Sequence, residues 1–143
     1  MVVPAVSWAT DLAPVMQLGL EPVLCDCNME DLSIDLDLFE KICITERPQA
    51  VMFVSVLGIV PNMDLLTSIC KKYGVVLIED TCESFGSEYR GKKLGTFGLA
   101  STFSLYFGHH LSTIEGGIVA TDDENLYNTL LSMRSHGWMR DCQ

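Results

Sequence analysis

Short apolar segments recur along the chain and are separated by longer segments of mixed polarity. Pro22–Cys25, Ala50–Val56 and Val75–Ile78 are almost wholly apolar. Such runs are typical of parallel strands that are covered on both faces. Two further strands are predicted over Ala100–Phe107 and Gly117–Ala120, from their length and their apolar and β-branched content.

The segments between the strands have the periodicity of amphipathic helices. Asp35 and Asn62 are positioned to cap two of these helices, and Gly74 is positioned to end the second. A later helix is predicted to start from a capping box made by Thr121 and Glu124. This alternation predicts an α/β fold with a mostly parallel sheet flanked by helices.

Length and composition narrow the class of protein. A chain of 143 residues with 48% hydrophobic and 20% charged residues suits one folded domain with its own core. No apolar run approaches the roughly 20 residues of a membrane-spanning helix. The net charge of -10 argues against nucleic acid or an anionic membrane as a partner. The glycine-rich segment Glu88–Gly98 is expected to be a long exposed turn.

The cysteines are expected to be reduced thiols of a cytoplasmic protein, because no spacing matches a zinc site. No metal site is predicted. The six cysteines are Cys25, Cys27, Cys43, Cys70, Cys82 and Cys142.

The clearest chemical motif lies between Ser104 and Glu115. His109 follows Ser104 by five residues and precedes Glu115 by six, and Gly116-Gly117 follows at once. Adjacent residues of an extended segment point in opposite directions, so His109 and His110 are poorly placed to bind one metal ion. One functional histidine with a structural neighbour is the better interpretation, since imidazole is a general base near neutral pH.

Three other residues are candidates for a binding site. Asp80 ends a predicted parallel strand, and ligands bind outside the carboxyl ends of such strands. Taken alone, Asp80 would better suit a turn or a helix cap, and Ser104 a strand serine bonded to the backbone. Trp8 would equally suit a core position.

These segments together resemble the DegT/DnrJ/EryC1/StrS family of sugar aminotransferases, which depend on pyridoxal phosphate (PLP). The resemblance lies in Trp8, in Ile78–Gly86 and in Ser104–Gly117. In that family the lysine that binds the cofactor covalently lies five residues after the serine, so His109 occupies its position. A His-His pair before Glu-Gly-Gly resembles the branch of sugar-nucleotide 3-dehydratases.

The resemblance implies a role for each site residue. His109 would be the catalytic base, and Trp8 would stack on the cofactor ring. Asp80 would hold the pyridine nitrogen protonated, and Ser104 would contact the phosphate. Glu83 would lie beside the ring, where the family usually has glutamine or histidine.

The function implied by the resemblance is dehydration at C3 of a 4-keto-6-deoxy nucleotide sugar, in deoxysugar or lipopolysaccharide biosynthesis. The cofactor would be PLP or pyridoxamine phosphate, held noncovalently and restored by glutamate or by an iron–sulfur partner. The full-length protein would be a homodimer. Two alternatives stay open: a nucleotide-sugar aminotransferase, and a catalytically silent cofactor-binding or regulatory protein.

The resemblance covers nearly all of residues 1–143 but only the middle of the family's large domain, which has the fold-type I architecture of PLP-dependent transferases. The N-terminal phosphate loop and the C-terminal small domain are expected to lie outside this segment. The isolated chain is therefore expected to be inactive.

Overall fold

A six-stranded sheet with helices packed against it forms the body of the protein, seen in a computed structural model that describes residues 1–140 and 142. The elements in chain order are β1 (Val2–Pro4), α1 (Ala9–Gln17), β2 (Val23–Cys25), α2 (Leu36–Thr45), β3 (Ala50–Val54), a 3-10 turn (Val56–Gly58), α3 (Met63–Tyr73), β4 (Val76–Asp80), β5 (Glu88–Tyr89), β6 (Lys92–Lys93), β7 (Ala100–Ser104), β8 (Gly117–Ala120) and α4 (Glu124–Arg134).

The strands of the main sheet lie in the order β2-β1-β3-β4-β7-β8. All neighbours are parallel except β7 and β8, which are antiparallel. The chain runs outward from β1 to β2 on one side and returns to β3 on the other, so a topological switch point lies between β1 and β3. The predicted α/β fold is confirmed. Within the described residues, no helix is both long and apolar enough to span a membrane.

The predicted caps of the first two long helices are present. The Leu38 amide donates to Asp35 Oδ1 at 2.9 Å, and the Leu65 amide donates to Asn62 Oδ1 at 3.1 Å. Gly74 ends α3 with φ of 69°, a left-handed conformation that glycine adopts without a steric penalty. These caps fix where the two helices begin beside the sheet.

The main core lies between the sheet and the helices α2 and α3. Val51 and Phe53 are fully buried at its centre. The rest of this core comprises Val2, Cys25, Ile34, Phe39, Ile42, Cys43, Met63, Leu66, Ile69, Cys70, Val75, Leu77 and Leu94. Val3, Val15 and Val54 are buried outside that cluster. Because strand neighbours alternate between faces, Val2 and Val3 serve opposite sides of the sheet.

Helix α1 is absent from the sequence-based prediction, because Pro14 lies inside it and proline normally interrupts a helix. The expected capping box of the last helix was also wrong in detail. Asp123, rather than Thr121 with Glu124, caps α4 and accepts from the Leu126 amide at 2.8 Å. The Thr121 hydroxyl instead donates to the Leu99 carbonyl at 2.7 Å, which ties β8 to the start of β7.

The segment Glu88–Gly98 is more than an exposed turn. Its first half is the β5–β6 hairpin, joined through Arg90 and Gly91, which both have positive φ. Its second half buries Leu94, which is only 4% exposed. The segment therefore packs onto the sheet.

A buried carboxylate organises the second half of this segment. Glu79 on β4 is fully buried, and its carboxylate accepts from the amides of Gly95, Phe97 and Gly98 at 2.7, 2.6 and 2.7 Å. A Cβ on Gly98 would lie 2.5 Å from the Leu77 carbonyl oxygen, so only glycine permits this close approach to β4. Three backbone donors thus satisfy a charge that would otherwise be costly to bury.

We expect Glu79→Gln to lower the free energy of unfolding by about 1–3 kcal/mol, because the new amide would face a buried N–H and leave it unsatisfied. Glu88→Gln is the matched control, since Glu88 is an exposed partner of Lys93 and such pairs contribute about 0–1 kcal/mol. Urea unfolding followed by circular dichroism measures both. Equal losses in the two variants would contradict the role assigned to Glu79.

Candidate active site

A cleft of about 810 Å³ lies outside the carboxyl ends of the parallel strands. Four of the strands lead to it: Trp8 follows β1, Val56 follows β3, Asp80 ends β4 and Ser104 ends β7. The cleft lies by the switch point between β1 and β3, where open α/β sheets bind ligands. All five sequence-predicted site residues therefore border one space. They are Trp8, Asp80, Glu83, Ser104 and His109.

Asp80 is a half-buried carboxylate at this edge of the sheet. Its Oδ1 accepts from the Cys82 amide at 2.9 Å and from the Thr102 hydroxyl at 3.4 Å. Burial, followed by the hydrogen bond to Asp80, raises the pKa of the Cys82 thiol to about 12. The thiol is therefore protonated at neutral pH, and it adds no negative charge beside Asp80.

Asp11, which the sequence analysis did not identify, is a buried carboxyl group close enough to Asp80 for its pKa to be raised by the charge of that residue. It is 4% exposed, and its Oδ2 accepts from the Trp8 amide at 3.2 Å. Burial, and then the charge of Asp80, raises the pKa of Asp11 to about 7, although the Trp8 hydrogen bond opposes the shift. An aspartate in the first turn of a helix was the signal available in the sequence, but Pro14 concealed the helix.

Trp8 marks the start of α1 and borders the cleft. Its side chain is 75% exposed, which is unusual for a tryptophan and excludes the alternative of a core position. The indole is therefore available to a ligand. The backbone amide of Trp8 donates to the Asp11 carboxyl group, which holds Trp8 at the start of α1.

Ser104 is the last residue of β7, and its Oγ accepts from the Tyr106 amide at 3.2 Å. Asp80 pairs in register with Thr102 on the neighbouring strand. Since strand side chains alternate, Ser104 lies on the same face of the sheet as Thr102 and Asp80. The predicted strand Ala100–Phe107 thus ends three residues early, and the chain beyond Ser104 turns over the cleft.

His109 lies in the loop between β7 and β8 and lines the cleft, whereas His110 is exposed and does not. The His109 amide donates to the Tyr106 carbonyl at 3.0 Å, and the two side-chain rings are 6.0 Å apart in an edge-to-face arrangement. Because β8 runs antiparallel to β7, Glu115 returns to the same edge and also borders the cleft. The loop is closed by the Leu105 amide, which donates to the Gly116 carbonyl at 2.8 Å.

Glu83 borders the cleft with its carboxylate already engaged. Its Oε2 accepts from the Leu57 amide at 2.6 Å. Leu57 has a φ of 55°, a conformation that is uncommon for leucine. Glu83 therefore joins the 3-10 turn after β3 to the loop after β4, and this contact was not anticipated from the sequence.

No lysine lines the cleft among the residues that the structure describes. All five lysines are exposed, and they lie on α2, α3 and β6. Lys72 forms an ion pair with Glu40 at 2.8 Å, and Lys93 pairs with Glu88. An amine that could bind a cofactor covalently is therefore missing from this part of the cleft.

The fold and the cleft are those of an open α/β domain that binds a ligand at the carboxyl ends of its strands. Comparison with known proteins identifies its family. The chain belongs to the DegT/DnrJ/EryC1/StrS aminotransferase family, whose sequence model matches residues 1–143. The predicted family is confirmed.

Sugar 3-dehydratases are among the similar proteins. GDP-4-keto-6-deoxy-D-mannose 3-dehydratase of Yersinia pseudotuberculosis is 45% identical over 141 residues, which are 99% of this chain and 36% of that protein. A crystal structure of GDP-4-keto-6-deoxymannose-3-dehydratase with a trapped PLP-glutamate geminal diamine matches with a TM-score of 0.93 and 39% identity, over 99% of this chain and 36% of that chain.

Aminotransferases are also similar. Helicobacter pylori PseC, an aminotransferase involved in the biosynthesis of pseudoaminic acid, matches with a TM-score of 0.88 and 32% identity, over 95% of this chain and 36% of that chain. The present chain thus spans about a third of the length of these relatives.

Proposed function

We propose that this chain is part of the large domain of a sugar 3-dehydratase that uses PLP or pyridoxamine phosphate. The substrate would be a 4-keto-6-deoxy nucleotide sugar, from which the C3 hydroxyl is removed. The observation that carries the proposal is His109 in the cleft, at the position that the family gives to lysine. The similarity to GDP-4-keto-6-deoxymannose 3-dehydratases supports it.

The residues present fit such a cofactor. An exposed indole, a half-buried carboxylate and a strand-end hydroxyl face one cleft, and each has a matching group on the cofactor. Trp8 would stack on the ring, Asp80 would accept from the protonated pyridine nitrogen, and Ser104 would donate to the phosphate. Glu83 would lie beside the ring and keep the Leu57 turn in place.

The cofactor, when bound, supplies an electron sink that permits bond cleavage next to the carbon carrying its amine. The protein moves protons. His109 accepts a proton at an imidazole nitrogen and returns it to the departing C3 hydroxyl oxygen, which leaves as water. Imidazole suits both steps, because it accepts a proton as the neutral ring and donates that proton again as the imidazolium. Asp80 would hold the pyridine nitrogen of the bound cofactor in its protonated form.

The proposed dehydratase activity also implies partners for the whole protein. Glutamate is the amino donor that would restore the amine form of the cofactor, and a glutamate adduct trapped in the similar dehydratase supports this choice. A second subunit of a homodimer and segments outside residues 1–143 would complete the walls of the cleft. The free thiols suit the reducing cytoplasm, where we place the reaction.

A nucleotide-sugar aminotransferase is the second candidate, favoured by the similarity to an aminotransferase such as PseC. That reaction normally uses a lysine amine in the active site, and His109 cannot supply one. A catalytically silent protein is disfavoured, because His109 borders the same cleft as Trp8, Asp80 and Ser104. We therefore keep dehydration as the proposed activity.

Cofactor attachment gives the first test. Intact protein loaded with PLP and treated with borohydride should release all of its cofactor on denaturation, because no cleft lysine is available to bind it. His109→Lys should retain a large fraction on the chain, which mass spectrometry of tryptic peptides would detect. A reduced cofactor on a defined lysine of the wild-type protein would overturn the proposal.

The adjacent histidines give the second test. We expect His109→Asn to bind cofactor but to lose dehydration by about 10²–10⁴-fold, the contribution of a general base. His110→Asn is the matched control and should be much milder, since His110 lies outside the cleft. The measurement is release of the 3-deoxy product from a 4-keto-6-deoxy nucleotide sugar. An inactive His110→Asn beside a normal His109→Asn would transfer the role to His110.

Asp80→Asn gives the third test. Removal of the charge should weaken PLP binding by about 10–100-fold, the size expected for a hydrogen bond to a charged group. Asp123→Asn, a change at an exposed helix cap, controls for general effects. Absorbance titration with PLP measures both. Unchanged affinity and an unchanged cofactor spectrum in Asp80→Asn would show that this aspartate has only a structural role.

A further inference from the structure

The turn that carries His109 is built around Tyr106. The Tyr106 amide donates to Ser104 Oγ at 3.2 Å, and the Tyr106 carbonyl accepts from the His109 amide at 3.0 Å. The second bond closes a four-residue turn, and the first joins this turn to the end of β7. Tyr106 thus links the strand-end serine to the histidine, and all three residues line the cleft.

The hydrogen bonds of this turn fix the backbone of His109 and leave its side chain to packing. Within the described residues, these bonds use backbone groups and the Ser104 hydroxyl, and none reaches the imidazole. The base of the loop is also closed through the backbone, since the Leu105 amide donates to the Gly116 carbonyl at 2.8 Å. A general base must point at the proton that it removes, so the orientation of the imidazole has to come from another contact.

The ring of Tyr106 supplies that contact. Its centroid lies 6.0 Å from the centroid of the His109 ring, and the two ring planes meet at 64°. Edge-to-face pairs of aromatic rings prefer centroid separations of about 4.5–7 Å, so this arrangement is a favourable one. His109 is half-buried, whereas the adjacent His110 is exposed and lies outside the cleft. The packing around His109 therefore sets it apart from its neighbour.

Gly108 leaves the space that the Tyr106 ring occupies across the turn. A Cβ on Gly108 would lie 3.3 Å from Cε1 and 3.4 Å from Cδ1 of Tyr106, which is closer than a side chain normally approaches. The φ of Gly108 lies outside the left-handed region, so an added methyl group would meet the ring and not a backbone restriction. The Phe107 ring lies 4.2 Å from the Tyr106 ring, centroid to centroid. Two neighbours in the turn thus confine the Tyr106 ring.

We propose that Tyr106 is a positioning residue whose ring sets the orientation of the His109 imidazole in the cleft. Tyr106 acts through His109, because its ring packs against the imidazole and its carbonyl holds the histidine backbone. Gly108 is part of the same device, since it allows the ring to lie across the turn. The orientation of the imidazole does not depend on the proposed function, whereas its effect on dehydration rests on that function.

Nuclear magnetic resonance (NMR) of the intact protein without cofactor tests the ring contact. With histidine rings labelled by carbon-13, the His109 resonance is assigned by its loss in His109→Asn. The ring current of Tyr106 should displace this resonance from that of the exposed His110. Tyr106→Phe should keep the displacement, because the contact is between the two rings. Tyr106→Ala should abolish it, whereas Tyr127→Ala, the same change at an exposed tyrosine of α4, should leave it unchanged. A His109 resonance that is identical in wild type and Tyr106→Ala would overturn the proposal.

The division of the effect between kcat and KM separates positioning from ligand binding. Tyr106→Ala should lower kcat for dehydration by about 10–100-fold and leave KM within about threefold, because a misplaced base slows the reaction without weakening binding. Tyr106→Phe should retain kcat within about threefold, since it keeps the ring that orients the base. A raised KM with normal kcat in Tyr106→Ala would assign Tyr106 to ligand binding and overturn the proposal. A slow Tyr106→Phe with an unchanged His109 resonance would also overturn it, because the hydroxyl would then act on its own.

Gly108→Ala tests the same contact with Tyr106 and His109 both in place. The added methyl group should push the ring aside, shift the His109 resonance and lower kcat. In Tyr106→Ala the ring is missing, so the double variant should match Tyr106→Ala within about twofold. Equal losses from Gly108→Ala in the two backgrounds would contradict the inference. A wild-type protein that dehydrates no 4-keto-6-deoxy nucleotide sugar would instead contradict the proposed function, and the NMR comparison would still decide whether Tyr106 orients His109.

Discussion

The burial of Glu79 is the constraint on which the arrangement of the cleft depends. Its carboxylate can lie inside the protein only because the amides of Gly95, Phe97 and Gly98 surround it. Those three bonds fix the chain immediately before β7, and so they fix the register of β7 against β4. The register in turn places Ser104 on the cleft side, close to Asp80. A charge buried on one face of the sheet thereby positions polar groups on the other.

Glu79 and Asp80 show how one strand serves two purposes. Consecutive side chains point to opposite faces, so the two carboxylates never compete for the same donors. Glu79 accepts hydrogen bonds from three backbone amides that the fold holds in place, and its role is structural. Asp80 receives weaker partners and a carboxyl neighbour on α1, which leaves an oxygen-rich edge open to a ligand. The difference in function comes from the surroundings of each carboxylate and not from its chemistry.

The sequence was enough to predict the parallel strands and the caps at Asp35 and Asn62. These features are set by residues that are close together in the chain. The sequence also brought Trp8, Asp80 and His109 into one candidate site, through the order of strands and the resemblance to a family. It did not reveal Asp11 or the contact from Glu83 to the Leu57 amide. Both depend on pairs that are far apart in the chain, and Pro14 masked the helix that carries Asp11.

The antiparallel β8 explains why the histidine loop could change its chemistry without changing the fold. The loop leaves β7 at Ser104 and returns at Gly117, its register partner, so both ends are fixed by the same pair of strands. The hydrogen bond from the Leu105 amide to the Gly116 carbonyl closes the base of the loop, and it does not involve the side chain at position 109. A lysine or a histidine could therefore occupy that position with the backbone unchanged. Under the proposed function, the reaction would then be selected by whether that side chain can bind a cofactor covalently or can only transfer protons.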